Sequence, residues 1–150
     1  YGVAFKALSW GVHTPASVGG TSYTISYNGN GSTVGNNPTS NTGVVGANIT
    51  LPGAGTLTKT GYTFAGWATT ANGTVAYADA ASYAFTANAT LYAQWTALPN
   101  KTVTFDRISG SGTMTAQVSN VAANLTANTF TRNGWTFAGW NTASNGTGTT

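Results

Sequence analysis

Gly61-Tyr62-Thr63-Phe64-Ala65-Gly66-Trp67 returns 73 residues later as Gly134-Trp135-Thr136-Phe137-Ala138-Gly139-Trp140. Carried on to Thr74 and Thr147, 10 of the 14 paired positions are identical. A recurrence of this length marks an internal duplication, and the duplicated unit is what the fold is built from. At the same spacing, Leu57-Thr58-Lys59 matches Phe130-Thr131-Arg132. Further upstream the spacing drifts through insertions in the first copy: Ile49 matches Leu125, and Tyr23-Thr24-Ile25-Ser26-Tyr27 resembles Lys101-Thr102-Val103-Thr104-Phe105. The chain thus divides into an N-terminal strand and linker (1–19), a complete repeat (20–97) and a second repeat lacking its C-terminal third (98–150).

Within a copy the hydrophobic period is two. Tyr23, Ile25 and Tyr27 alternate with Thr24 and Ser26, and Val103 and Phe105 alternate with Thr102 and Thr104, the pattern of a half-buried strand. Leu91, Ala93 and Trp95 alternate with Tyr92 and Gln94, which predicts a closing strand for the first copy. The Gly-aromatic-Thr-Phe-Ala-Gly-Trp segment is apolar on both faces and predicts a central strand, with Gly66 or Gly139 at a bulge. Asn72-Gly73 and Asn145-Gly146 carry the signal of a type I′ turn. Short helical turns are expected over Ala78–Tyr83 and Thr115–Ala123. The predicted fold is mainly β.

Composition removes several classes of function. Five basic and two acidic residues make only 5% of the 150 positions charged, against about 25% in an average soluble domain. Thr (29), Ala (23), Gly (20) and Asn (15) supply the rest of the surface. The basic pI comes from a shortage of acids, and the five scattered Lys and Arg residues form no stripe for a nucleic acid. With no Cys and one His, neither a disulfide framework nor a structural zinc or iron–sulfur site can be assembled. No run of apolar residues is long enough to span a membrane as a helix, and no charged n-region followed by an apolar stretch opens the chain, so the expectation is a secreted protein whose signal has already been removed. Eighteen aromatic residues are enough to build packed cores.

These motifs resemble a known family. An aromatic-Thr-Phe-x-Gly-Trp-x-Thr run is followed by Asn-Gly-Thr, Tyr-Ala-Asp and Ala-Thr-Leu-Tyr-Ala-Gln-Trp. In that order and spacing, they are similar to the Listeria–Bacteroides repeat, also called the internalin B-repeat. The likeness covers 20–97 fully and 98–150 in part. It implies a compact, β-grasp-like module of secreted or surface-anchored microbial proteins, with tandem copies and no catalytic residues or cofactor to carry over. The long insertion between Asn30 and Asn48 departs from the pattern.

Candidate chemistry is sparse. Asp79 and Asp106 are the only carboxylates for acid–base work, fall in different copies, and read better as turn residues. His13 stands in a Gly-Val-His-Thr-Pro linker with no nucleophile motif near it. Gly29-Asn30-Gly31 has no following Lys and reads as a loop rather than a phosphate cradle. Trp67, Trp95 and Trp140 are expected in cores, while Trp10 lies outside the complete repeat. Seven Asn-x-Ser/Thr sites, at Asn30, Asn48, Asn72, Asn88, Asn100, Asn124 and Asn145, permit glycosylation without indicating it. A Lys59 or Lys101 isopeptide bond lacks an evident buried acid.

The expectation for function rests on the two ends. The second copy lacks a strand, which leaves backbone edges open to a partner, and Tyr1–Trp10 reads as an orphan strand with Tyr1, Val3, Phe5 and Ala7 on one face. Addition of that strand, ending at Trp10, to the next subunit would make a head-to-tail homopolymer. The sequence therefore predicts a non-catalytic extracellular structural protein, self-associating into a surface fibre or sheath. The alternative is a spacer or ligand-binding segment of a cell-surface adhesin, with a host or environmental surface ligand.

Overall fold

The computed structural model describes residues 19–149. The first copy forms β1 (Ser22–Asn28), β2 (Asn41–Val44), β3 (Asn48–Thr50), β4 (Tyr62–Ala68), β5 (Ser82–Ala84) and β6 (Ala89–Ala97). The second forms β7 (Lys101–Val103) and β8 (Gln117–Ser119). The strands make a four-stranded sheet in the order β2-β1-β6-β4 and two ribbons, β3-β5 and β7-β8. Among the described residues there is no helix, so the fold is mainly β, without a helix lying across the sheet.

The alternation of Tyr23, Ile25 and Tyr27 produces β1, and that of Leu91, Ala93 and Trp95 produces β6. Ile25, Leu91 and Ala93 are fully buried and Tyr27 nearly so. β6 is the centre of the sheet: it runs parallel to β1, with Tyr27 opposite Leu91, and antiparallel to β4, with Trp67 opposite Ala93. Trp67 is completely buried, and its indole N–H donates to the Pro52 carbonyl at 2.8 Å. The β3-β5 ribbon closes the other side of the core through Leu51, Tyr83 and Phe85. Among the described residues, all the fully buried hydrophobic side chains lie between Ile25 and Ala93, in the first copy.

Several expectations need correction. β4 lies at the sheet edge, not the centre. Its outer edge is met by a backbone bridge from Trp67 to Tyr77. The bulge is where the sequence placed it, between Phe64 and Gly66. Gly66 has φ +135°, and a Cβ there would lie 2.5 Å from the Tyr77 carbonyl oxygen. Ala78–Tyr83 is not helical. Ala81 N–H donates to the Ala78 carbonyl across a β-turn with Ala80 at φ +57°, and the chain then enters β5. Thr115–Ala123 holds β8, which pairs antiparallel with β7. The Asn-Gly turns are not type I′. Gly73 N–H donates to Thr70 and Gly146 N–H to Ala143, so each glycine occupies the fourth position and no central residue has positive φ. A type I′ turn is needed to match the twist of two paired strands, and after β4 only a single bridge re-forms.

Candidate functional site

The second copy reproduces the first in local detail. Asn28 Oδ1 accepts from Asn30 N–H at 2.8 Å, and Asp106 Oδ1 accepts from Ile108 N–H at 2.8 Å. The left-handed residues that follow correspond as well: Asn30 at φ +46° to Ile108 at +37°, Gly31 at +79° to Ser109 at +62°, and Gly35 at +94° to Gly112 at +98°. The Val34–Thr58 bridge recurs as Ser111–Thr131. Lys59 lies over the Tyr62 ring at 4.8 Å and Arg132 over the Trp135 ring at 4.4 Å. The aromatic cluster is repeated too. Tyr27–Trp67 at 5.0 Å becomes Phe105–Trp140 at 4.6 Å, and Phe64–Trp67 at 5.2 Å becomes Phe137–Trp140 at 4.9 Å.

What the second copy does not repeat is the ladder. Residues 135–141 match β4 yet form no strand, and β7 keeps only three residues. The reason is the sheet order. β1 and β4 never touch as a pair in the first copy; each bonds to β6, which stands between them. The described residues of the second copy contain no counterpart of β6, nor of the Tyr77 bridge or β5. Phe105 and Trp140 therefore form walls of an open groove of about 1060 Å³, with Val103, Phe130 and Phe137 also lining it. Trp135 is 69% exposed and Phe137 52% exposed, whereas Phe64 packs against the first core. In the first copy the equivalent positions are the ones packed around β6. Asp106 and Arg132 contribute charge to the groove lining.

The sequence reading did not single out Phe105, Phe137 and Trp140 as one cluster. The signal was present: all three align with residues that pack around β6. The proposed donor residues Tyr1, Val3, Phe5, Ala7 and Trp10, and also His13, lie outside the described residues. Asp79 sits in the Ala78–Ala81 turn against Gly53, where an added Cβ would lie 2.8 Å from Asp79 Oδ1. Asp106 serves its own Asx turn. Trp67 is core, as expected, while Trp95 and Trp140 are half-buried. Gly29-Asn30-Gly31 is a loop held by its own side chain. Asn30 Nδ2 donates to the carbonyls of Ala71 and Ala93, both at 2.8 Å. Among the described residues no three His, Cys, Asp or Glu side chains gather as metal ligands. No helix among them is long and apolar enough to cross a membrane.

No curated protein and no solved structure matches the chain. The family model of the Listeria-Bacteroides repeat domain matches residues 23–94 and again 102–150. The two matched segments coincide with the two copies whose turns, bridges and aromatic clusters correspond, and the family is one generally found in surface proteins. The chain belongs to the Listeria-Bacteroides repeat family.

Proposed function

We propose that the chain is a non-catalytic extracellular structural protein whose copies join head to tail by strand addition, building a surface fibre or sheath. The supporting observation is the tandem pair of repeats, matched at residues 23–94 and 102–150 by a family generally found in surface proteins. The nearly uncharged surface, net +3 over 150 residues, offers little repulsion to lateral packing. A head-to-tail contact uses different patches on each partner and need not close.

Light scattering after size exclusion, with negative-stain electron microscopy, tests this reading on the whole chain. Mass that grows with concentration and regular filaments support it. A 15.2 kDa monomer at every concentration sinks it.

A second reading is a spacer or ligand-presenting segment of a cell-surface adhesin. It is favoured by the joint between the copies, where Leu98 N–H and Asn120 Nδ2 both donate to the Gly61 carbonyl, at 2.8 and 3.0 Å. Two donors on one oxygen fix the step from one module to the next. A strict monomer that retains a saturable surface ligand would favour this second reading.

A further inference from the structure

We propose that the chain carries two self-modifying sites, Asn72 and Asn133, whose side-chain amides are lost through attack by the backbone nitrogen of the following glycine. The proposal is independent of how copies assemble. The sequence holds five Asn-Gly pairs, at Asn28, Asn30, Asn72, Asn133 and Asn145. In such a pair the glycine nitrogen reaches the asparagine Cγ readily, since no Cβ obstructs it and both groups belong to one chain. The nitrogen gives up its proton to a base and bonds to Cγ. The side-chain nitrogen takes a proton and leaves as ammonia. Water, the co-reactant, then opens the five-membered imide at either carbonyl, leaving aspartate or isoaspartate.

The reaction needs a loose amide and an available glycine N–H, and the fold withholds one or the other at three of the pairs. Gly29 is buried and its N–H donates to Asn37 Oδ1 at 2.8 Å, while Asn28 Oδ1 accepts from Asn30 N–H at 2.8 Å. At Asn30 the departing nitrogen itself is held, donating to the carbonyls of Ala71 and Ala93. Asn145 Oδ1 accepts from both the N–H and the hydroxyl of Thr147, at 3.1 and 2.7 Å.

Asn72 and Asn133 differ. Both are exposed, and among the described residues neither side chain has a hydrogen-bond partner. Gly73 N–H has one contact, the Thr70 carbonyl of its own turn at 3.1 Å, and Gly134 N–H has none among the described residues. Asn72 is the repeat counterpart of Asn145, so the same turn is latched in one copy and open in the other. Asn133 stands where the first copy has Thr60, whose N–H is bonded to Thr33 Oγ1 at 3.1 Å.

Each conversion adds an acid to a chain that has two, so both together take the net charge from +3 to +1. The new carboxylate at 133 adjoins Arg132, which stands over Trp135. An isoaspartate at 72 lengthens the main chain next to the Ala71 carbonyl, the acceptor shared by Asn30 and Gln94 at 2.8 and 3.2 Å. The two sites therefore couple the age of a folded chain to its charge and to the anchoring of this loop.

The test incubates the whole folded chain in mildly alkaline buffer, with a second sample in urea, and follows both by charge-resolved chromatography and peptide mass mapping. Folded chains are expected to convert at Asn72 and Asn133 about tenfold or more faster than at Asn28, Asn30 and Asn145, because each retained hydrogen bond slows opening by up to about that factor. In urea all five should convert at comparable rates. Asn72→Gln combined with Asn133→Gln, whose longer side chains close a less favourable ring, should remove the early acidic species and leave the circular dichroism spectrum unchanged. Folded chains in which the three held asparagines keep pace with the two open ones would overturn the assignment. So would chains whose two open sites stay intact when folded yet convert in urea.

Discussion

Asn120 donates its side-chain amide to the carbonyl of Gly61 across the boundary between the two copies, at 3.0 Å. Gly61 has φ +78°, and a Cβ on it would lie 2.9 Å from Asn120 Oδ1. Its counterpart Gly134 has φ +76°, and a Cβ there would meet nothing within 4 Å. The two glycines are thus a matched pair that differ in the contact with Asn120.

Alanine at either position incurs the left-handed backbone cost, about 1–2 kcal/mol. Gly61→Ala must also displace Asn120, so it is expected to destabilise by more than Gly134→Ala. Adding Asn120→Ala to Gly61→Ala should recover part of that excess, while adding it to Gly134→Ala should not. Urea unfolding of the four variants measures this coupling directly. Equal effects at the two glycines would mean that the joint carries no energy.

Asn30 combines a backbone role with a bridging one. Its φ of +46° suits Asn, and its amide holds the β1 end to Ala71 and to Ala93 on β6. Asn30→Gly keeps the conformation and removes both hydrogen bonds, so a loss of roughly 1–3 kcal/mol is expected. Asn30→Ala should lose about 1 kcal/mol more through the left-handed backbone. Since the amide is committed in the folded state, the Asn30 site is also expected to stay unglycosylated on folded chains, while exposed Asn72 accepts sugar. Peptide mapping after in vitro glycosylation of folded chains checks this.

The strands of the first copy were legible because each carries its own signature: Tyr23, Ile25 and Tyr27 for β1, Leu91, Ala93 and Trp95 for β6. Neighbour relations were less so. Gly61–Trp67 looked central because both faces are apolar, yet its outer edge is met by Tyr77 through a single bridge that no periodicity announces. The same limit explains the second copy. Gly134–Trp140 repeats the decisive segment almost residue for residue and still forms no strand, since a ladder needs a partner and the partner is coded elsewhere. What local sequence does fix there are the turns, the bulge glycine and the aromatic contacts. Ala80 at φ +57° defeated the helical expectation for Ala78–Tyr83, because an Ala-rich run gives no warning of a left-handed residue.

Tyr27 ties stability to pH. Burial foremost, with Tyr83 as a second cause, pushes its phenol from the ordinary value of 10 up to about 12. The folded chain therefore keeps a proton that the unfolded chain releases. Stability from this group is complete below about pH 10 and falls as pH rises toward 12. Tyr27→Phe removes the hydroxyl that donates to Asn41 Oδ1 at 2.7 Å, which costs about 1 kcal/mol at neutral pH. In return the decline between pH 10 and 12 should flatten. Urea midpoints at pH 8 and pH 11 for both proteins test the sign; parallel declines would show that other tyrosines, such as Tyr83, dominate.

Ile108 occupies the position that Asn30 holds in the first copy, at φ +37°, a conformation that a β-branched side chain adopts only under strain. Nothing offsets this through the side chain, which is 47% exposed and cannot donate as Asn30 does. Ile108→Asn should therefore stabilise the second module by about 1 kcal/mol through the backbone alone. The gain should appear as slower amide exchange at Ser111 and Thr131, whose N–H groups close the bridge just beyond the turn at 2.7 and 3.0 Å. Ile108→Val keeps the branch at Cβ and should give no gain. If Val and Asn behave alike, backbone strain at this turn is not what limits the second module.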